Sequence, residues 1–271
     1  MRLAVRHRTT YRYEQPVAYA IQSLRLSPQP YEGLAVMSWR VSRDGRRELP
    51  HIVDGLGNIV HSNTMCRPHT EYTIAVEGEV ETSDTAGVVR GAPEPLPPLF
   101  FLRTTDLTVA DGSIAAFCAD AVRAASPLDR LHALMHAVAD RIAYRTGSTA
   151  VTTTAAQALA RGEGVCQDHA HVFIAAARFL SIPARYVSGY LWTGENNQEY
   201  EASHAWAEAF LPDFGWIGFD PSNRICPRGN HIRTGVGLDY WAAAPVRGIR
   251  RGDAPERLTV EVQVRQAGAQ Q

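Results

Sequence analysis

The stretch GEGVCQDHAH, residues 162–171, places one cysteine and several polar side chains directly before the apolar run VFIAAARFL. A metal site, a nucleophilic thiol, or an unreactive buried thiol beside a helix cap would each fit it. The apolar run predicts a buried helix that begins near Cys166. Free N–H groups and the positive dipole end of a helix start favour a thiolate and an oxyanion. A nucleophilic Cys166 is therefore the first hypothesis.

A metal site is the main alternative at this position. Cys166, His169 and His171, joined by His204 from further along the chain, would supply four ligands of the kind that zinc prefers. On a helix, however, positions 166 and 169 share a face, whereas position 171 lies roughly 140° away. Helical geometry therefore argues against a metal, and we expect neither a metal nor another cofactor.

A nucleophilic thiol needs a base, and the base needs a group that orients it. SHAWAEAFLPDFGWIGFDPSN, residues 203–223, predicts two strands joined by a turn. A hairpin centred on Pro212 places His204 opposite Asp220, with Cβ atoms roughly 5 Å apart on one face. A register shift of two residues leaves the pair in diagonal contact. The spacing thus predicts an imidazole and a carboxylate close to each other.

Three sequence blocks now stand in order: a cysteine block at Cys166, His-Ala-Trp at 204–206, and Gly-Trp to Asp-Pro at 215–221. Together they resemble the bacterial transglutaminase-like family of the papain-like transglutaminase superfamily. The first 80 or so residues resemble the N-terminal region that bacterial members carry. The resemblance covers nearly the whole chain.

The resemblance implies a Cys-His-Asp triad in which Cys166 attacks a carboxamide carbon, His204 shuttles the proton and Asp220 orients the ring. Water resolves the thioester in hydrolysis, and an amine resolves it in acyl transfer. The Cys166 N–H is the first oxyanion donor, and the second stays unassigned. Animal transglutaminases use a tryptophan well before the cysteine, but none lies between Trp39 and Trp192. Hydrolysis of a peptide or isopeptide bond is therefore favoured over crosslinking.

A catalytically silent binding module is a third hypothesis, against which the intact triad argues. Five further residues are expected to support the site or contact substrate: Gln167, Asp168, His171, Tyr190 and Trp206. For the first three, helix capping or loop contacts are favoured over direct chemistry. For the last two, core packing is the default. The polar loop 193–203 leads directly to the histidine and is expected to line a substrate cleft.

These residues need a scaffold, and the sequence predicts two regions of different secondary structure that provide it. Residues 1–90 alternate in polarity between Gly, Pro and Asp breaks, which predicts an antiparallel β-sandwich-like domain. Four prolines in GVVRGAPEPLPPLF predict an extended linker over residues 91–110. Residues 111–271 read as helices and then strands. The expected fold is α+β, with the nucleophile at a helix N-terminus packed on an antiparallel sheet.

Capping signals locate two of the helices. Ser126 followed by Pro127 is typical of a helix start. Thr154 and Gln157 have capping-box spacing, and Gly162 stands where a C-terminal glycine is expected.

Composition narrows the class of protein. The chain has 271 residues, 45% apolar and 20% charged, with a formal net charge of −1. This is a globular composition without a basic field for nucleic acid. No signal core or membrane-length apolar run is present, so a cytoplasmic protein with no membrane contact and a peptide or protein substrate is expected. Cys66, Cys118 and Cys226 are expected to be free structural thiols. A homo-oligomer is left open.

Overall fold

A computed structural model describes residues 1–121, 123–194 and 203–268. Within these ranges the strands are β1 Arg2–Val17, β2 Tyr19–Ser27, β3 Leu34–Arg43, β4 Arg47–Glu48, β5 His51–Val53, β6 Ile59–Met65, β7 His69–Thr82, β8 Val88–Val89, β9 Ala143–Tyr144, β10 Glu163–Gly164, β11 Ala184–Leu191, β12 Ser203–Leu211, β13 Gly215–Phe219, β14 His231–Gly237, β15 Val246–Arg251 and β16 Glu256–Gln266. The α-helices are α1 Gly112–Ala121, α2 Pro127–Arg141, α3 Ala155–Arg161, α4 Cys166–Phe179 and α5 Tyr240–Ala243, and Pro98–Leu102 forms a 3₁₀ helix. None of these helices is long and apolar enough to cross a membrane.

Two antiparallel sheets form the β-rich part of the molecule. Their strand orders are β16-β1-β7-β3-β4 and β15-β2-β6-β5. Tyr11, Val41 and Ile74 of the first sheet share a buried core with Leu24 and Leu26 of the second. Alternating strand residues therefore bury one face of each sheet against the other, as expected of a sandwich. The predicted mixed fold with an antiparallel sandwich-like domain is confirmed.

A third antiparallel sheet, of order β14-β11-β12-β13-β8, carries the candidate site. Helix α4 packs on one face of this sheet, against β12. The contacts on β12 come from Ala205, Ala207 and Ala209, which lie in one buried core with α4. Small side chains let the helix approach the sheet closely, so the start of α4 is held beside the start of β12.

The capping predictions hold in the structure. The Ser126 side chain accepts a hydrogen bond from the Asp129 N–H at the start of α2. Thr154 and Gln157 form the reciprocal capping box of α3. Gly162 ends α3 with φ of 69°, a left-handed conformation that glycine adopts without steric cost.

Both ends of the chain contribute to the sandwich. Strand β15 pairs with β2, and β16 pairs with β1 over its whole length. Strands β15 and β16, within residues 246–266, therefore belong to the sandwich sheets. The prediction that all of residues 111–271 form the core is corrected for these strands. Conversely, β8 adds residues 88–89 to the core sheet through β13. The alternation of RLTVEVQV predicts a strand with one buried face but does not identify its partner.

The proline-rich segment is packed against the core sheet. Phe101 of the 3₁₀ helix is buried. Glu94 forms an ion pair with Arg185 of β11, whose guanidinium is almost fully buried. Residues 91–110 are thus attached to the core by both apolar and charged contacts.

Candidate active site

Helix α4 begins at Cys166. The Asp168 carboxylate accepts a hydrogen bond from the Val165 N–H at 2.8 Å, which fixes the first turn. As the first helical residue, Cys166 has a backbone N–H without an intrahelical acceptor. Its side chain is only partly buried. The thiol therefore lies at an accessible helix start, where the free N–H and the helix dipole favour negative charge.

Strands β12 and β13 bring His204 and Asp220 together. Pairing of Ala207 with Phe219 centres the hairpin on Asp213 instead of Pro212, so the register differs by two residues from the predicted one. The two side chains stay on one face in diagonal contact. His204 Nε2 lies 2.7 Å from Asp220 Oδ2, and the carboxylate is fully buried.

The imidazole of His204 lies between a carboxylate and a thiol. Burial opposes a charge on this ring, but the Asp220 carboxylate outweighs burial and raises the pKa of His204 above its usual range. Hydrogen bonding and charge at Cys166 add to the rise in this pKa. Because Nε2 faces Asp220, Nδ1 is the ring nitrogen left for the thiol. The arrangement stabilises an imidazolium at His204, between the carboxylate and the Cys166 sulfur.

The Asp220 carboxylate is held in place by several donors. Its Oδ1 accepts from the Ser222 hydroxyl at 2.8 Å and from the Asn223 N–H at 3.2 Å. Its Oδ2 accepts from the Asn223 amide at 2.8 Å and from His204. Burial would raise the pKa of Asp220, but the contact with His204 keeps it well below its usual range. Asp220 is therefore an oriented, ionised carboxylate.

One further residue of the cluster, His231, was missed by the sequence analysis. It is the first residue of β14, and its Nε2 lies 3.2 Å from Asp220 Oδ2. Its ring meets Trp206 edge to face, with centroids 5.3 Å apart. The stretch GNHIRTG carries no motif that would identify this histidine, since only the pairing of β14 with β11 brings it to the site.

The polar residues that follow Cys166 serve the helix start and its surroundings. Gln167 donates to the Val151 carbonyl at 3.2 Å. Asp168 also accepts from the Thr149 hydroxyl. His171 accepts from the Tyr240 N–H at 3.1 Å. These contacts fit the capping and loop roles favoured for the three residues.

Tyr190 and Trp206 lie in different surroundings. The Tyr190 hydroxyl contacts His7 Nδ1 at 3.0 Å, in a core formed with the sandwich. Trp206 is buried beside the site, and its ring stacks on His204 with centroids 6.1 Å apart. Of the loop 193–203, residues 195–202 lie outside the described residues.

His169 and His171 of the predicted metal alternative make other contacts. Both ring nitrogens of His169 contact backbone carbonyls, and His171 Nε2 accepts a backbone N–H. In the described ranges, the side chains close enough to hold a metal are instead His204, Asp220 and His231, with ligand atoms within 4.8 Å of one another. The atoms that would bind a metal there already hydrogen bond to each other.

A cavity of about 460 Å³, here called the edge cleft, opens between the two sandwich sheets beside their edge strands β15 and β16. Tyr11 and Tyr72 line it. It also reaches Ser203 and Tyr240. Ser203 directly precedes His204, so the edge cleft adjoins the residues of the candidate site.

Comparisons with known proteins identify the family of this chain. The sequence model of the Transglutaminase-like superfamily matches residues 116–221, and that of the bacterial transglutaminase-like N-terminal region matches residues 3–81. An uncharacterized protein of Mycobacterium leprae is 30% identical over 281 residues, which cover 97% of this chain and 98% of that protein. A protein-glutamine gamma-glutamyltransferase of Pseudomonas aeruginosa is 31% identical over 104 residues, 34% of this chain and 15% of that enzyme.

A solved structure from Cytophaga hutchinsonii, described as a candidate cysteine protease, has a TM-score of 0.80 with this chain at 20% identity. The superposition covers 100% of this chain and 92% of that one, which shows the shared fold. Fold, family matches and full-length relative agree, and the chain belongs to the transglutaminase-like superfamily, with a bacterial transglutaminase-like N-terminal region ahead of its core.

Proposed function

We propose that the protein hydrolyses an amide bond of a peptide or protein, in a main-chain or isopeptide linkage, through a thioester on Cys166. One observation carries this proposal: the His204 ring lies between the Cys166 thiol and the buried Asp220 carboxylate. That is the order nucleophile, base and orienting group that thiol acyl chemistry requires.

Each step of the reaction uses a residue of this cluster. His204 takes the thiol proton, and the Cys166 sulfur attacks the carbonyl carbon to form a tetrahedral oxyanion. The free Cys166 N–H donates to that oxyanion. His204 then protonates the departing amine, which leaves a thioester. Water, deprotonated by His204, attacks the thioester, and the carboxylic acid and the free thiol are released.

The edge cleft supports a polypeptide as substrate. Leu258 and Val260 of β16 stand on the same strand face as buried Val262 and Val264, yet they are 51% and 37% exposed in the cleft. An apolar inner face left open beside an edge strand suits an extended chain, which adds backbone hydrogen bonds and side-chain contacts. Because the cleft reaches Ser203, a chain bound there would lead toward His204.

Acyl transfer to an amine is the second candidate, favoured by the local identity to the Pseudomonas aeruginosa gamma-glutamyltransferase. Both reactions share the thioester and differ only in the group that resolves it. Incubation of a glutamine peptide with and without a primary amine, followed by mass spectrometry, separates them. A product 1 Da heavier than the glutamine peptide, or cleaved fragments, indicates hydrolysis, whereas a mass raised by the amine less ammonia indicates transfer.

Thiol labelling tests the nucleophile directly. At neutral pH we expect iodoacetamide to alkylate Cys166 faster than exposed Cys66, and His204→Gln to slow Cys166 alone. Buried Cys118 should react last, since burial raises the pKa of its thiol to about 11. Rates equal at Cys166 and Cys66, unchanged by the His204 substitution, would contradict an activated thiol.

A further inference from the structure

Two imidazoles point at a single carboxylate oxygen. Asp220 Oδ2 lies 2.7 Å from His204 Nε2 and 3.2 Å from His231 Nε2. The His231 side chain is 2% exposed, and it comes from β14, whereas Ser222 and Asn223 lie in the same turn as Asp220. His231 thus holds the carboxylate from a separate strand of the sheet.

The position of the proton on His231 follows from its neighbours. Burial lowers the pKa of His231 below its usual value, and a neutral imidazole carries one ring proton. A carboxylate only accepts, so that proton belongs on Nε2, where it is donated to Asp220. Nδ1 faces the Arg228 N–H at 3.3 Å and the Asn230 side-chain carbonyl oxygen at 3.0 Å. The requirement for a proton on Nε2 therefore comes from the Asp220 carboxylate, 3.2 Å away.

The ring itself is held by packing and by sheet pairing. Its edge-to-face contact with Trp206 leaves little freedom to rotate, and Trp206 in turn stacks on His204. His231 also pairs with Leu191 across β14 and β11. The donor is thus fixed relative to the strand that carries the base.

We propose that His231 is a positioning residue of the site, which donates from Nε2 to Asp220 and keeps that carboxylate aimed at His204. This inference rests on the proposed function, since it concerns the orientation of the same catalytic base. No proton passes through His231. Its effect reaches the thiol only through the alignment of Asp220 and His204.

A pair of substitutions of similar length tests the donor. His231→Gln keeps an N–H group near the position of Nε2, whereas His231→Met fills similar space without a donor. Loss of a hydrogen bond to a buried charged group predicts that the Met variant lowers kcat roughly 10- to 100-fold with KM little changed. The Gln variant should recover most of that loss. Val236→Ala, in the core cluster that contains Trp206, is the control for stability alone.

The rate of Cys166 alkylation gives a readout that needs no substrate, so the inference is testable even if amide hydrolysis is not found. We expect that rate to fall in the Met variant and to recover in the Gln variant, with thermal unfolding confirming that both fold. Equal rates in the Met, Gln and Val236→Ala variants would overturn the positioning role. So would one equivalent of zinc bound by the purified wild type and lost in both His231 variants, because the cluster would then be a metal site.

Discussion

At the scale of single residues, His171 is the least satisfied polar side chain near the site. It is fully buried, its Nε2 accepts a backbone N–H, and its Nδ1 is without a partner in the described structure. Burial, and then the charge of Arg178, lowers the pKa of His171 to about 3. The His171 ring is therefore neutral in the folded protein above about pH 3.

The first prediction follows from this burial. Between pH 6.5 and about 4 the unfolded chain protonates His171 and the folded protein does not, so stability falls as pH falls. The contribution is roughly 1.4 kcal/mol per pH unit for one proton. Urea unfolding across this window should show a shallower slope in His171→Phe than in the wild type. The two curves should run parallel above pH 7, and equal slopes below it would contradict a neutral buried ring.

Single residues also show what a sequence can and cannot specify. Cys166, His204 and Asp220 are predicted from a helix start and a hairpin, and a register error of two residues still leaves His204 and Asp220 in contact. His231 carried no such signal. Its contact depends on β14 crossing to the far side of β11, which is a property of tertiary topology.

At the scale of elements, buried charges connect the proline-rich segment to the sheet. Glu208 of β12 lies 2.6 Å from Arg185 and 2.9 Å from Arg233, with its side chain 1% exposed. Arg185 also meets Glu94 at 2.6 Å and lies over the Trp216 ring at 3.8 Å. Two carboxylates thus neutralise two guanidinium groups on the sheet face opposite α4.

This network makes a second prediction. Glu208→Gln leaves Arg185 and Arg233 without their shared carboxylate, and we expect a loss of about 3–5 kcal/mol in the free energy of unfolding. Glu94→Gln is the matched control, because Glu94 is 33% exposed and solvent screens its pair, so about 1 kcal/mol or less is expected. Urea unfolding measures both. Similar losses in the two variants would show that burial does not decide the effect.

Element identity was easier to predict than element partnership. The helix caps at Ser126 and Thr154 are predicted from residues within a few positions of each other, and both are present in the structure. The last strand, β16, was recognised from its alternation but assigned to the core, whereas it pairs with β1. Period-2 alternation reports one buried face and contains no information on which strand lies alongside.

At the scale of the whole molecule, the pairing of the C-terminal strands β15 and β16 with the sandwich sheets creates the opening beside the site. Each is the edge strand of its sheet, and the inner face of β16 changes from buried at Val262 and Val264 to exposed at Leu258 and Val260. The sandwich is therefore closed at one end and open at the end next to Ser203. The sandwich and the core together form the approach to the proposed catalytic residues.

The last prediction tests whether this opening receives substrate. Leu258→Glu places a charge in the edge cleft, away from Cys166 and its partners, and should lower kcat/KM for a ten-residue peptide roughly 10- to 100-fold, the equivalent of one lost apolar contact. A single-residue amide, too short to extend along the cleft to β16, should be turned over as by the wild type. Ile52→Glu, at an exposed site on the opposite edge of the same sandwich, should affect neither substrate. If Leu258→Glu slowed both substrates equally, or if Ile52→Glu acted as strongly on the peptide, the cleft would not be the path by which a polypeptide reaches the thiol.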